Sequence, residues 1–296
     1  MDFQLQTTRL QIQPISEQDD AFIFELLNSE GWIKFIGNRN ILTRVDAKSY
    51  IAKIAQAPHI HYYTVKLIDS QNPIGLVTLI KRDYLEHHDI GFAFLPQYAK
   101  HGYAKEAARA LLLEILKDSS HSKILATTIP SNTNSIHLLQ KLGLYFEKEI
   151  QVDSEALHVY GASADELKIN FLTQDFFAVF TNKNNKAPEL EKLNSICLPA
   201  CSIKKSIANT VEQYSLKEFI EPRKKILSNG ILKEFEEFEI SHQTKVLENI
   251  AIRNSKYLKS GYENGNLFQT KGTKKITFQK TNYGWKIAAF EWEDEQ

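Results

Sequence analysis

The hydrophobic period changes near residue 165, and this change restricts the possible architectures more than any other feature of the chain. Before it, segments of strand period alternate with segments of helical period. Strand patterns cover 8–14, 62–68, 74–81, 89–95, 123–128, 145–152 and 157–161, and helical patterns begin after Ser16 and cover 46–57, 102–117 and 135–142. Ser16 with Glu17 and Asp19 reads as an N-cap followed by first-turn acids, and Gly143 as a helix stop. After the change, helical patterns come first (164–181, 188–196, and 215–226 with Ser215 and Glu218 as a capping box). Long strand-like segments follow at 232–241, 245–258, 267–280 and 285–292. The first order predicts an α/β domain with a mixed central sheet and flanking helices, and the second an α+β domain. The boundary falls between Gly161 and Glu166, giving domains 1–165 and 166–296.

Charge and cysteine usage exclude several function classes. Lysine plus arginine and aspartate plus glutamate both number 36, so no global basic field exists to collect nucleic acid or an anionic membrane. No apolar run approaches the ~18 residues of a membrane span. Residues 1–10 contain Asp2 and lack the apolar core of a secretory leader. Cys197 and Cys201 have no partner cluster of zinc-site spacing, so we expect reduced thiols, no metal and a cytoplasmic protein.

The chemistry concentrates in residues 89–107. Asp89–Leu95 form an apolar strand, Lys100, His101 and Gly102 form a short loop, and Tyr103, Ala104, Lys105 and Glu106 open a long amphipathic helix. A glycine there lets the backbone approach a ligand, and the free amides of a helix start suit a pyrophosphate. The cations Lys100, His101 and Lys105 add to that field. The stretch is also compatible with a plain strand-loop-helix connection.

This segment resembles the pyrophosphate loop of the GNAT superfamily of N-acetyltransferases, Gln/Arg-x-x-Gly-x-Gly/Ala. Gly102 and Ala104 match its small positions, and Ala99 departs from its Gln/Arg position. Asn132-Thr133-Asn134-Ser135-Ile136 through Lys141-Leu142-Gly143 resembles the family's Asn-x-x-Ser-Ile-x-x-Leu-x-Lys-Leu-Gly-Phe segment, and Thr8-Arg9-Leu10 resembles the start of its ribosomal-protein-acetylating (RimJ/RimL-like) branch. The resemblance implies acetyl-CoA as co-substrate and direct transfer to an amine, either a small molecule or a peptide, in a ternary complex. It implies cofactor contacts from Phe94, Leu95, Lys100, His101, Gly102, Tyr103, Ala104, Lys105, Asn132 and Ser135. The backbone N–H near Phe94 would hold the thioester oxygen, and Ser135 would cap its helix. Glu86, His87, His88 and Asp89 are candidate bases, with His88 and Asp89 foremost. Leu139 stands where many relatives carry a tyrosine acid. Trp32, Phe35 and Tyr84 would line an acceptor cleft or belong to the core.

Residues 166–296 resemble the nuclear-transport-factor-2-like (SnoaL-like) cone fold, on helix order and the ending Gly284-Trp285-Lys286-Ile287. That resemblance implies a pocket within the sheet and a homodimer formed through the outer face of residues 232–292. Phe235, Ile240, Phe268, Ile276, Phe278, Ile287, Phe290 and Trp292 are the apolar residues expected to supply the pocket and that face. Glu234, Glu236, Glu237, Glu239, His242 and Arg253 read as pocket groups or as a solvated strand face. Three functions remain in competition: an acetyltransferase joined to a binding or dimerisation module, a non-catalytic acetyl-CoA sensor, and a protein with two activities.

Overall fold

The structure, a computed structural model, describes residues 3–207 and 210–295. Met1 and Asp2, within the segment expected to lack a leader, lie outside the described residues. The chain divides into two compact units, Met1–Leu167 and Lys168–Gln296. Among the described residues no helix is long and apolar enough to cross a membrane, and no group of three or more His, Cys, Asp or Glu is arranged to hold a metal.

The first unit starts with a hairpin, β1 (Leu5–Gln6) and β2 (Leu10–Pro14), followed by α1 (Asp20–Leu27), α2 (Glu30–Phe35) and α3 (Arg44–Gln56). The antiparallel strands β3 (Ile60–Leu67), β4 (Pro73–Ile80) and β5 (Asp89–Phe94) come next. Then follow α4 (Tyr103–Ile115), β6 (Lys123–Thr128), α5 (Thr133–Leu142), β7 (Tyr145–Val152) and β8 (Glu155–Ser163). The sheet order is β1-β2-β3-β4-β5-β6-β8-β7, and only the β5–β6 pair is parallel.

β4 is buried along its middle six residues, as a strand covered on both faces should be. Phe22, Ile23, Leu26, Trp32, Ala47 and Ile51 from α1–α3 join Leu76 of β4 and Leu95, just past β5, in one cluster. α4 turns Ala107, Ala108, Leu111, Leu112 and Ile115 inward at helical spacing and packs on β2, β4 and β5. Gly143 ends α5 at φ 88°, where only glycine is unstrained. The six-residue α2 was not anticipated, because Glu-Gly-Trp-Ile-Lys-Phe is too short to display a period; the Ser29 hydroxyl caps it.

The second unit contains most of α6 (Ala164–Ala178), the short α7 (Leu193–Ile196), β9 (Cys197–Ile207), β10 (Thr210–Tyr214) and α8 (Leu216–Ser228). A four-strand meander follows: β11 (Leu232–Val246), β12 (Ile250–Glu263), β13 (Asn266–Thr281) and β14 (Gly284–Asp294). The order is β10-β9-β14-β13-β12-β11, with β14 and β9 parallel.

Three expectations here need correction. Residues 188–196 hold a 3-10 turn, Leu190–Lys192, and the single-turn α7 instead of one helix. The β9–β10 hairpin was missed because Pro199 argues against a strand. β10 pairs only with Ile203–Ile207, and the β14 register jumps between Ile287↔Cys197 and Ala289↔Ser202, so Pro199 sits where no ladder needs its N–H. The break expected at 241–245 lies instead at 247–249. Register shifts fall after Lys233, with Glu234 at φ 49°, and after Glu239; between them residues 236–239 pair regularly, which leaves Phe238 exposed and Glu237 half-buried.

The apolar outer sheet face expected for a dimer is not formed by the residues named for it. Phe235, Ile276, Phe278, Ile287, Phe290 and Trp292 are buried within the unit, against Phe176, Phe177 and Phe180 of and just after α6 and Phe219, Ile220 and Leu227 of α8. Phe268 stacks on Phe235, and only Ile240 is exposed. The helices cover the apolar face that these residues form.

Asn182 closes this unit at the end of α6. Its amide donates to the carbonyls of Leu227 (2.8 Å) and Leu232 (2.6 Å), and its oxygen accepts from Phe235 N–H (2.7 Å). Asn182→Ala removes three hydrogen bonds and leaves partly buried backbone groups unpaired. We expect a loss of about 2–3 kcal/mol, read as a lower urea midpoint by tryptophan fluorescence; an unchanged midpoint would mean water replaces the amide.

Candidate functional site

One departure from sheet regularity sets the geometry of the first unit. β5 and β6 share a single pair, Asp89↔Leu125, with Leu125 N–H donating to His88 C=O (2.9 Å), and then diverge. Beyond it β5 stays paired with β4 through Phe94, and β6 stays paired with β8. The result is a wedge-shaped gap between two strands of one sheet. Leu95 N–H donates to Ile74 C=O on the β4 side (3.0 Å). Backbone groups alternate sides along a strand, so the amides of Phe92 and Phe94 point toward the gap. Phe94 packs its ring on Gly75, where an added Cβ would lie 2.3 Å from it.

The gap opens toward the loop. A 3-10 turn, Pro96–Tyr98, leads to Lys100 at φ 63°, exposed His101, and Gly102 at φ 81°. Gly102 is the N-cap of α4 and brings no side chain, so the first-turn amides of Tyr103, Ala104 and Lys105 have neither a cap oxygen nor an intrahelical acceptor. Lys105 is half-buried; burial first, and the charges of Arg109 and Lys141 next, hold its pKa below the usual lysine range. An anion at this end of the helix would relieve that repulsion. Arg109 was not singled out in the sequence, although its i,i+4 spacing from Lys105 was readable; Lys141 becomes its neighbour only through the fold.

A strap from the N-terminal hairpin fixes the loop. Arg9 Nε donates to Glu106 Oε2 (2.7 Å), Arg9 Nη1 donates to His101 C=O (3.0 Å), and the guanidinium lies 4.5 Å from the Tyr103 ring centroid. Glu106 Oε1 accepts from Thr7 Oγ1 (2.6 Å) and Arg9 N–H (3.1 Å). Glu106 thus binds the hairpin to the helix start, and Arg9 holds the loop carbonyl turned away from the amides.

The closed end of the gap is braced by Asp89. Its side chain is 2 % exposed; Thr127 Oγ1 of β6 donates to Oδ2 (2.7 Å), and Arg82 Nε lies 3.2 Å away as an ion pair. Burial raises the Asp89 pKa, opposed by Arg82 and by the Thr127 hydroxyl. Tyr62 is raised by burial and by Tyr50, whose hydroxyl is 3.4 Å from its own, while Arg82 acts the other way. Arg82, Thr127 and Tyr62 escaped the sequence reading because neither spacing nor motif joins them. His88, next to Asp89, is half-buried, with its ring edge-on to His121 at 4.8 Å; burial, then His121, lowers its pKa.

The remaining predicted residues divide. Asn132, not Ser135, caps α5: its Oδ1 accepts from Ser135 N–H (3.2 Å), because an Asn at the helix boundary reaches the third amide. Leu95 is core; its N–H goes to Ile74 and its C=O accepts from Tyr98, so its amide is not free for a ligand. Leu139 is 1 % exposed and faces the core. Trp32 is core, Phe35 half-buried, and Tyr84 exposed beside Arg82 (5.9 Å). Glu86 is exposed and His87 half-buried.

Residues 9–145 match the family described as the acetyltransferase (GNAT) domain. A protein of Bacillus subtilis (strain 168) named "Uncharacterized N-acetyltransferase YnaD" is 29 % identical over 153 residues, spanning 50 % of this chain and 89 % of that protein. Among solved structures, a GCN5-related N-acetyltransferase from Brucella melitensis aligns with a TM-score of 0.52 at 13 % identity, covering 60 % of this chain and 86 % of that one. A probable GNAT-family acetyltransferase from Chromobacterium violaceum aligns at 0.50 and 16 % identity, covering 56 % and 88 %. The N-terminal half of the chain carries a GNAT acetyltransferase domain.

The lowered His88 pKa has a consequence for stability. The unfolded chain binds a proton at this residue near pH 6.5, while the folded one resists it. The difference favours folding above that range and is lost as pH falls through it. His88→Asn should flatten the loss of stability between about pH 7 and 5, measured by thermal unfolding at several pH values. An unaltered pH slope would show that His88 is hydrated in the fold.

Proposed function

We propose that the protein is an acetyl-CoA-dependent N-acetyltransferase that transfers directly to an amine in a ternary complex. The observation that carries this reading is the β5–β6 gap, which runs from the Asp89 brace to the amide-rich start of α4. Acetyl-CoA supplies the activated acyl group. The amides of Tyr103, Ala104 and Lys105, with Lys100 and His101 beside them, suit its pyrophosphate; the Asn132 end of α5 suits the pantetheine arm. An amide pointing into the gap from Phe94 would polarise the thioester carbonyl as charge develops. An amine acceptor must lose a proton as it attacks, and His88 or Asp89 would take it. A buried carboxyl of raised pKa and an imidazole kept neutral both suit that task. The acceptor class is a small-molecule or peptide amine, and the Thr8-Arg9-Leu10 start supports the ribosomal-protein-acetylating branch.

The second unit is proposed as a nuclear-transport-factor-2-like (SnoaL-like) module whose function is to bind a ligand in its own cavity. A non-catalytic acetyl-CoA sensor is the second reading of the first unit, favoured by one observation: Asp89 Oδ2 already holds the Thr127 hydroxyl and the Arg82 ion pair.

Thiol release across a panel of amines tests transfer against mere binding; binding without release from any amine would select the sensor. Gly102→Val forces a branched side chain onto a backbone at φ 81°. It should weaken acetyl-CoA binding at least tenfold by calorimetry, with far-UV circular dichroism retained. Asp89→Asn should lower kcat about a hundredfold if Asp89 is the base, whereas Thr127→Val, which removes one brace and no charge, should lower it far less. Equal losses in the two variants would make Asp89 a brace alone. His88→Asn and the control Glu86→Gln complete the set, read from the acidic limb of the pH–rate profile.

A further inference from the structure

The second unit holds a cavity of about 250 Å³ between α8 and the inner face of the sheet. Nine of its fourteen lining residues are apolar or aromatic, among them Phe180, Phe219, Phe235, Tyr257 and Trp292, and five are charged. Their pairing decides what the cavity can hold. Lys274 is 6 % exposed, forms an ion pair with Glu237 (2.5 Å), and lies 4.8 Å from the ring centroids of Phe177 and Tyr257. Lys259 pairs with Asp294 (2.6 Å), which also accepts from the Tyr257 hydroxyl (2.5 Å). Glu263 is exposed at the end of β12.

Arg223 is different. Its one hydrogen bond runs from Nη1 to Phe219 C=O in its own helix (3.0 Å), and among the described residues no carboxylate lies within ion-pair reach of it. Its guanidinium is stacked 3.7 Å from the Phe219 centroid, with Trp292 at 5.3 Å. Stacking uses the face of the guanidinium and leaves in-plane donors on its edge, the geometry that a planar carboxylate accepts from. Among the described residues the cavity therefore has one half-buried cation with no carboxylate at ion-pair distance, though Glu237 and Asp294 act on it from farther off, while its other two cations are directly paired.

We infer that this cavity binds a small, largely apolar monocarboxylate, with Arg223 receiving the carboxylate and the aromatic wall receiving the body. The inference rests on the proposed reading of the second unit as a ligand-binding module. One guanidinium without a direct ion pair suits a single negative charge better than a phosphate dianion. Glu237 and Glu263 repel a second carboxylate, which disfavours dicarboxylates. The volume lies below the usual range of about 300–1,000 Å³ for ligand cavities, so the molecule is small.

Calorimetry on the full chain tests this with benzoate and 3-phenylpropionate, their neutral amides benzamide and 3-phenylpropionamide, and glutarate. The acids should bind at least tenfold tighter than the amides and glutarate, since a charge-assisted pair is lost with each amide. Arg223→Met, which keeps the stem on Phe219, should remove the preference for acids, and Arg223→Lys should restore part of it. Ile226→Trp, which fills the cavity without touching the guanidinium, should remove binding of every probe. Acids and amides binding alike would overturn the inference while the binding-module reading stands. Binding of no probe would overturn both. An acid preference that survives Arg223→Met would place the anion elsewhere and overturn the assignment of Arg223.

Discussion

The single backbone pair between Asp89 and Leu125, backed by the Thr127–Asp89–Arg82 contacts, is the constraint on which the first unit depends. Parallel neighbours in a sheet ordinarily stay paired for several residues; here β5 and β6 separate after one. Each strand can leave the other only because it has a full ladder on its far side, with β4 and with β8. The separation exposes main-chain donors in the interior of a sheet, where polar groups are costly unless something pairs with them. A buried carboxylate that accepts from a hydroxyl of β6 and forms an ion pair with a cation of the β4–β5 connection keeps the parting from running further.

The loop at the open end is under separate control. Lys100 and Gly102 take left-handed conformations, and the start of α4 has no capping side chain. Arg9 and Glu106 compensate by linking residues almost a hundred positions apart. The pair is partly exposed, so its net strength is modest, of the order of 1 kcal/mol or less; its value lies in geometry, since Arg9 also bonds the His101 carbonyl.

Much of this was readable from the chain. The strand patterns at 123–128 and 145–152 coincide with β6 and β7. Gly102 and Gly143 mark two helix boundaries where the backbone is left-handed. What stayed hidden is of two kinds. Short elements such as α2, and a strand containing Pro199, carry no usable period. Partnerships such as Asp89 with Arg82 and Thr127, Glu237 with Lys274, or Glu239 with Arg253 join residues whose proximity exists only after the sheet has formed. The acidic run 234–239 shows the limit well. As a sequence it looks like a solvated face; in the fold, Glu237 and Glu239 share the face of buried Phe235 and meet Lys274 and Arg253, cations that are nearly fully buried.

The parallel contact of β9 with β14 has a bearing on how the second unit comes to be folded. β9 and β14 are separated in sequence by a hairpin strand, a helix and three long strands, so their pairing closes one of the longest loops in the unit. The meander β11–β14 needs only neighbouring hairpins and can form as soon as each strand leaves the ribosome, whereas β9 and β10 must wait for the last strand before they gain a partner outside their own hairpin. During synthesis the hairpin therefore presents an open edge, beginning with the buried thiols Cys197 and Cys201, for the whole interval in which roughly eighty further residues are made, some seconds at ordinary translation rates.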